Sequence, residues 1–366
     1  MTGRWGITLA MLLAIGWISP LHAAPAEGSE NSVASANIAV LVQGDVTVKR
    51  KGWTTYEPVV FGTNLRVGDL VRVDPSSHAK VVCSDLTVHE LPVGIAGVPC
   101  NPAGNVLRSP NGSLISPTRS GPPDGSYPVV VSPRRTKLLS SNPTIQWTPA
   151  TGVDVYVVEV RGPKFFWSIR APITPLVYPA DAPRLKPGVD YKVIVKAGER
   201  SSSEEPGIGL GFSILDGKEG SNVEKEEQRI ESLGLSDGPT QFLIASLYTA
   251  NDLRAEAIQR LEKVSPRMNA GAVARLLGDL YLEVGLTRQA EDSYLKALEL
   301  SKTENDLEGQ MLMHLALGNI YAEALGNNKL AREHLDAALV LANQIGDENT
   351  GGLAGSILAN LKREGV

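Results

Sequence analysis

The last third of the chain repeats one pattern of large and small apolar residues three times. In the clearest copy, Leu277, Gly278 and Tyr281 precede the small residue Ala290. A small residue lets two helices approach closely and an aromatic ring fills the gap beside them, so each copy predicts two antiparallel helices. Because one hairpin cannot bury its apolar face alone, at least three must stack. The equivalent positions are Ile244, Ala245, Tyr248 and Ala257 in the first copy, and Leu317, Gly318, Tyr321 and Ala331 in the third.

This succession of small and large residues resembles the tetratricopeptide repeat, whose period is about 34 residues. The step from the second copy to the third is longer, and we interpret the polar stretch 303–310 as an insert. Residues 353–361 can supply a closing helix. The resemblance implies an all-α solenoid over residues 239–366, and such arrays bind other polypeptides and rarely catalyse reactions.

In the resemblance, the first helix of each repeat lines a concave groove that another protein occupies. Arg275 and Asn319 stand where chaperone-binding members hold a peptide C-terminus, but Asp279 and Leu315 break that set. We therefore do not expect capture of a C-terminus, and an ordinary solvated helix face is the alternative for each position. The predicted groove residues are Phe242, Ser246, Arg275, Asp279, Glu283, Leu315, Asn319 and Glu323.

The first 23 residues have the features of an export signal. Arg4 precedes an apolar run over residues 5–18, and Ala23-Ala24 follows as a small-residue cleavage site. The run is shorter than the roughly 20 residues that span a bilayer, although an uncleaved anchor is the alternative. We expect a signal peptide over residues 1–23, a linker over residues 24–36, and a periplasmic or secreted mature protein without a transmembrane segment.

The chain has only two cysteines, Cys83 and Cys100. Two nearby cysteines in an oxidising compartment usually pair, and closing a loop of this length stabilises the fold by about 3 kcal/mol. We predict a disulfide. A metal site that also uses His78 and His89 is the alternative, but the spacings match no compact zinc pattern, so no metal is predicted.

Residues 37–100 contain short β-branched segments separated by Gly and Asp, which is typical of a compact β-domain. Gly44-Asp45 between two such segments predicts a hairpin. The region resembles the FecR-like domain, although Ser84-Asp85-Leu86 replaces that family's usual Asp-Gly turn. The matching residues are Gly44-Asp45-Val46, Trp53, Gly62, Leu65, Gly68-Asp69-Leu70 and the strand that begins at Ala79.

The FecR-like resemblance implies an exported β-fold with a binding or structural role. Members that regulate iron transport carry a membrane helix and a cytoplasmic segment. Neither is evident in this sequence, so we do not transfer a role in transcriptional regulation.

Residues 101–126 are rich in Pro, Gly, Ser and Asn and predict a loop-rich linker. Residues 127–216 then contain several strand-like segments between Pro and Gly turns, which favours a β-sandwich. Their order resembles a fibronectin type III or other Ig-like domain. In that fold a buried Trp packs on an aromatic residue of a facing strand, and Trp147 and Tyr191 are the candidates.

Residues 217–238 are strongly charged, and we interpret them as a linker that includes part of a solvated helix. Pro239 follows, where proline suits the first turn of a helix. The predicted fold class is therefore a multidomain chain, with an all-β part of two domains followed by an all-α solenoid.

Charge and motifs narrow the function. The net charge of −5 argues against nucleic acid, whose recognition needs a basic surface. Gly-x-Ser-x-Gly, His-Glu-x-x-His and P-loop motifs are missing from the sequence, so we expect neither an enzyme nor a cofactor. We predict a scaffold or adaptor that binds proteins at the bacterial cell envelope through the array. The alternative is an envelope sensor, or a module for peptidoglycan or another glycan, that acts through the FecR-like part.

Overall fold

The computed structural model describes residues 35–102, 104–108, 125–172, 174–204 and 210–364. In these residues a β-rich part is followed by a run of eight helices, which confirms the predicted fold class. The predicted signal peptide and most of the two linkers 24–36 and 101–126 lie outside the described residues.

Three parts of the chain are distinguished by their secondary structure. Residues 35–108 are called the first β-region, residues 125–215 the second β-region, and residues 217–364 the helical array. All described residues belong to one compact unit, so contacts between the three parts belong to its fold.

The first β-region consists of two small antiparallel sheets. Its strands are β1 (Ile38–Gln43), β2 (Val46–Lys49), β3 (Glu57–Pro58), β4 (Leu70–Val73), β5 (His78–Val82), β6 (Val88–Glu90) and β7 (Gly94–Gly97). The strand order is β1-β5-β6 in one sheet and β3-β2-β4-β7 in the other. Apolar residues at alternate positions of the strands point between the two sheets and form a buried core.

The hairpin predicted at Gly44-Asp45 is wrong. The chain does turn there, with φ +83° at Gly44, but β1 pairs with β5 and β2 pairs with β3 and β4. The turn packs against the buried residue Ser77, whose Oγ accepts a hydrogen bond from the Asp45 amide at 2.7 Å.

The second β-region has two sheets around one apolar core. Its strands are β8 (Val129–Ser132), β9 (Thr136–Leu138), β10 (Thr144–Thr148), β11 (Tyr156–Gly162), β12 (Phe165–Ala171), β13 (Leu176–Val177), β14 (Asp190–Ala197), β15 (Arg200–Ser201) and β16 (Phe212–Ile214). Strands β13-β10-β8 form one sheet, and β12-β11-β14-β16-β9 form the other, in which β15 also pairs with β14. The strands β9 and β16 run parallel.

The two predicted core aromatics of this region are both buried. They do not form the expected pair, however. The ring of Trp147 lies 5.5 Å from that of Tyr156, whereas Tyr191 packs against Phe165 and Phe212. The aromatic residue that packs on Trp147 is therefore Tyr156, at the start of β11. The Tyr156 hydroxyl also accepts a hydrogen bond from the amide of Ala150, three residues after Trp147.

The helices of the array follow one another as antiparallel neighbours. Each packs mainly on the next, while α4 also contacts α6 and α6 contacts α8. This arrangement is compatible with tetratricopeptide-like repeats. The helices are α1 (Gly217–Glu231), α2 (Asp237–Ala250), α3 (Arg254–Met268), α4 (Gly271–Glu283), α5 (Thr287–Thr303), α6 (Leu307–Glu323), α7 (Asn328–Ile345) and α8 (Glu348–Glu364).

The small residues of the repeated pattern lie where two helices touch. A Cβ atom at Gly278 would lie 2.5 Å from the ring of Tyr294, and one at Gly318 would lie 2.6 Å from Leu335 Cγ. Both distances are shorter than van der Waals contact. Glycine is therefore required at these positions for α4 to approach α5 and for α6 to approach α7.

Two predicted irregular stretches are mostly helical. The supposed insert 303–310 lengthens α5 and α6 and leaves only a short turn, in which Asp306 Oδ1 accepts a hydrogen bond from the Gly309 amide at 2.8 Å and caps α6. The charged stretch 217–238 is mainly α1. Its residues Val223 and Ile230 are buried, so this helix packs on the array and is not a solvated linker.

The prediction of a disulfide is confirmed, since Cys83 and Cys100 are bonded. Both are buried in the core of the first β-region. Within the described ranges, every helix is too short or too polar to cross a lipid bilayer.

Candidate interaction site on the helical array

The eight residues predicted to line the groove differ in accessibility. Glu323, at the end of α6, is exposed, while Arg275 and Glu283 on α4 are half-buried. The other five are at most 7% exposed. These buried residues are Phe242, Ser246, Asp279, Leu315 and Asn319.

The first β-region covers part of the helix face that carries the predicted groove residues, which is called the inner face. The ring of Phe61 meets that of Phe242 edge-on, with centroids 5.2 Å apart. Gly62, with φ +82°, lies so close to α4 that an added Cβ atom would overlap the Cβ atom of Ala272. Residues 60–66, called the docking loop, therefore occupy part of the groove that was predicted to bind a protein partner.

A buried arginine fixes the docked orientation. The Arg50 guanidinium pairs with Asp69 at 2.7 Å in its own region and with Glu308 of α6 at 2.6 Å. It also lies over the ring of Trp53, 5.1 Å from the centroid. Burial alone would lower the pKa of Arg50, but Glu308 and Asp69 together raise it above its ordinary value. The arginine is thus charged and held from both sides.

The far end of the array makes a second contact with the first β-region. The Thr54 amide donates a hydrogen bond of 2.9 Å to the carbonyl oxygen of Ile345, at the end of α7. The side chains of Met311, Ala342 and Ile345 belong to the same apolar cluster as the core of the first β-region. The two parts therefore share a core.

The second β-region binds the array through polar contacts in addition to the apolar residues Val129 and Leu215, which lie in the array's core. The Lys137 amide donates to the carbonyl oxygen of Asp252 at 2.8 Å, and the Leu139 amide donates to Glu256 Oε1 at 2.9 Å. Burial raises the pKa of Glu256 to about 7, against the effect of the Leu139 hydrogen bond.

The predicted groove residue Glu283 has a partner within the array. Arg254, the first residue of α3, pairs with Glu283, the last residue of α4, at 2.6 Å. Glu283 is consequently engaged within the protein.

A cleft of about 190 Å³ separates the docking loop from α4 and α6. Among the predicted groove residues, Arg275 and Asp279 are brought together there. Charged residues of both signs line it, with Phe61, Leu312 and Met313 as apolar neighbours. The charged lining residues are Arg50, Arg66, Arg275, Asp279, Asp306 and Glu308.

Two carboxyl groups in this cleft have unusual proton affinity. Burial raises the pKa of Asp279 to about 6, although Arg275 and a 2.8 Å hydrogen bond from the Tyr294 hydroxyl oppose the shift. Burial likewise raises the pKa of Asp306 to about 6 against the effect of its cap to Gly309. Neither carboxylate has an ion-pair partner within 4 Å among the described residues, and desolvation therefore dominates.

The histidines considered as metal ligands lie apart from this cleft. His78 is near Glu90 on the surface, with a nitrogen–oxygen distance of 3.5 Å, and His89 contacts Thr87. In the array, His314 Nδ1 and His334 Nδ1 lie 3.1 Å apart. No group of three or more His, Cys, Asp or Glu side chains in the described part of the chain is placed to hold a metal ion.

A scan against models of protein families finds no match for this chain, and a search of curated proteins finds none either.

Sequence reasoning did not anticipate a repeated polar contact between hairpins. The hydroxyls of Tyr248, Tyr281 and Tyr321 each donate to a glutamate on the preceding helix. A signal for it existed, because each tyrosine occupies the same position of the repeat. The acceptors are Glu227 on α1 at 2.7 Å, Glu262 on α3 at 2.6 Å and Glu291 on α5 at 2.8 Å.

Proposed function

We propose that this protein is a non-enzymatic, exported scaffold that binds protein partners at the bacterial cell envelope through a tetratricopeptide-like array. The observation that carries the proposal is the docking of Phe61 and Gly62 against Phe242 and Ala272. The inner helices α2 and α4 already hold a loop of a folded β-region, which is how such an array holds another protein.

The docked β-region limits where a partner can bind. Five of the eight predicted groove residues are buried within the chain, so in this conformation they are not accessible to a partner. Glu323 is exposed at the end of α6. We assign the partner surface to the part of the predicted groove around this residue.

Export is supported by the apolar N-terminal run and by the disulfide, since disulfides persist mainly in oxidising compartments. Mass spectrometry of the protein purified from its native cells tests this part. We expect a chain that begins at Ala24 and contains no free thiol. A chain that retains Met1 and two reduced cysteines would contradict export.

Site-specific photo-crosslinking tests the partner surface. A photoreactive residue at Glu323 should crosslink one or a few envelope proteins in living cells, whereas the same residue at the exposed Lys225 on α1 should not. Each captured protein is then purified and titrated against the full mature chain. The substitution Glu323→Lys should weaken that binding about tenfold, a loss of about 1.4 kcal/mol, and Lys225→Glu should leave it unchanged.

Two outcomes would end the scaffold proposal. One is the lack of any crosslink that depends on Glu323. The other is sedimentation of the full chain with purified peptidoglycan at affinities that Glu323→Lys does not alter, which would favour the sensor or glycan-binding alternative. Isolated residues 37–100 are unsuitable for this test, because their core includes side chains of the array.

A further inference from the structure

Three charged residues of the cleft beside the docking loop, Arg275, Asp279 and Asp306, form no ion pair within 4 Å in the described residues. The charge of Arg275 acts on Asp279, but only at longer range. Asp279 uses Oδ1 for the Tyr294 hydroxyl, and Asp306 uses Oδ1 to cap α6. Asp279 is only 6% exposed. Buried charges without partners are unfavourable, so a ligand that supplies both partners would be stabilised here.

The size of the cleft limits the ligand. Its volume of about 190 Å³ is below the roughly 300–1,000 Å³ of pockets for drug-sized molecules. A helix or a folded domain cannot enter such a space. A molecule smaller than a typical drug suits it.

The signs of the charges limit the ligand further. A purely anionic ligand would meet Asp279, Asp306 and Glu308 as well as the arginines. A metal ion would meet Arg66 and Arg275, and the acidic groups in the described residues do not converge in a set of three. A ligand with one charge of each sign avoids both conflicts.

We propose that the cleft binds a small zwitterion, an α-amino acid, with its carboxylate at Arg275 and its ammonium group at Asp279 and Asp306. The planar guanidinium can donate two parallel hydrogen bonds to a carboxylate. Arg275 and Asp279 lie one helical turn apart on the same face of α4, so their side chains are neighbours. An apolar side chain on the ligand would contact Phe61, Leu312 and Met313, which also line the cleft.

The site is composite, because the docking loop forms one wall. Arg66 on this loop is 60% exposed and lies 3.7 Å from Glu308, so it stands at the mouth. On the inner side, the Arg50 Nε atom is buried without a hydrogen-bond partner in the described residues. The ligand site therefore exists only while the first β-region is docked. The inference goes beyond the scaffold proposal and does not depend on it, since Glu323 is not part of the cleft.

Calorimetric titration of the full mature chain with L-leucine and with glycine tests the proposal at pH 7.5. We expect saturable binding of leucine and weaker binding of glycine. N-acetyl-leucine lacks the ammonium group and leucine methyl ester lacks the carboxylate, so each should bind at least about tenfold more weakly. Binding should also weaken as the pH falls below 6, because protonation removes the charge of Asp279 and Asp306.

Paired variants assign the binding to the cleft. Arg275→Gln and Asp279→Asn should each abolish leucine binding, whereas Arg288→Gln and Asp336→Asn, the same changes at exposed positions on α5 and α7, should not. Circular dichroism verifies that the variants are folded; if a cleft variant is not, the two leucine derivatives decide the result on the unaltered chain. No saturable binding of either amino acid, equal binding of N-acetyl-leucine, or full binding by folded Arg275→Gln would overturn the proposal.

Discussion

The two β-regions meet the helical array in different ways. The core of the first β-region contains three buried side chains of the array, Met311, Ala342 and Ile345, whereas in the described residues the core of the second contains one, Ala255. The core of the array in turn contains six buried residues of the first β-region, against two of the second, Val129 and Leu215. The second β-region also forms hydrogen bonds to the array, such as that from the Lys137 amide to the Asp252 carbonyl oxygen. The first interface therefore shares more of both cores than the second does.

Size explains the difference. Domains of about 60 residues bury a smaller fraction of their surface than larger ones and are marginally stable. The first β-region, residues 35–108, is only slightly larger than this, and it gains apolar burial from α6 and α7 in addition to its disulfide. We therefore expect damage to the first interface to loosen the β-region itself. Damage to the second interface should loosen only the attachment.

The largest effect should follow from Arg50→Ala. The change leaves Asp69 and Glu308 buried without their cation, and breaking a buried ion pair in this way costs about 3–5 kcal/mol. Denaturant unfolding measures the loss. Arg66→Ala is the control, since its exposed guanidinium should contribute less than about 1 kcal/mol. An equal loss in both variants would contradict the role of Arg50.

The next effect concerns the shared core. Ile345→Ala should cost about 2–4 kcal/mol because Ile345 is fully buried against the first β-region. Hydrogen exchange should accelerate in β2 and β4 and stay unchanged in β11 and β14. Val340→Ala, on the same helix and 65% exposed, should change stability by less than about 0.5 kcal/mol. Faster exchange in both β-regions would remove the distinction between the interfaces.

A smaller, pH-dependent effect is expected at Glu256, in the second interface. Its folded pKa of about 7 is raised above the ordinary value of 4.5. The native state therefore binds an extra proton between these values, and its stabilising contribution is lost as the pH rises from 4.5 through 7. Glu256→Gln removes this titration and should be more stable than the unaltered chain at pH 8, by at most about 3 kcal/mol, but not at pH 4.

Denaturant midpoints of the unaltered protein and of Glu256→Gln, measured at pH 4 and pH 8, check this expectation. The difference in midpoint between the two proteins cancels the contribution of the other titrating groups, such as His314, whose pKa burial lowers to about 4. A difference that does not vary with pH would show that Glu256 is not desolvated.

The smallest effect should come from Thr136→Val. The Thr136 hydroxyl accepts a hydrogen bond from the Ala255 amide at 3.2 Å, and its loss should cost about 1 kcal/mol. We expect faster exchange at the start of α3 only. Thr144→Val, on a strand that does not contact the array through a described hydrogen bond, is the control. Unfolding of the second β-region in Thr136→Val would show that it too depends on the array.

Much of the binding surface could not be predicted from the repeats. Phe242 and Asp279 occupy predicted groove positions, yet both are buried, and the docking loop packs on Phe242 through Phe61. Helical periodicity identifies which face of a helix a residue occupies. It does not identify what covers that face when the cover comes from another part of the chain.

The sequence by itself determined the order of a β-rich part before a helical array, the pairing of Cys83 with Cys100, and the small residues at Gly278 and Gly318. These follow from local patterns whose periods are those of strands and helices. Only the tertiary structure decided that the docking loop fills part of the groove and that Arg50 pairs with Glu308, 258 residues away. Contacts between such distant residues depend on how two folded surfaces fit together. That fit produces no periodic pattern in the sequence of either segment, so local patterns cannot predict it.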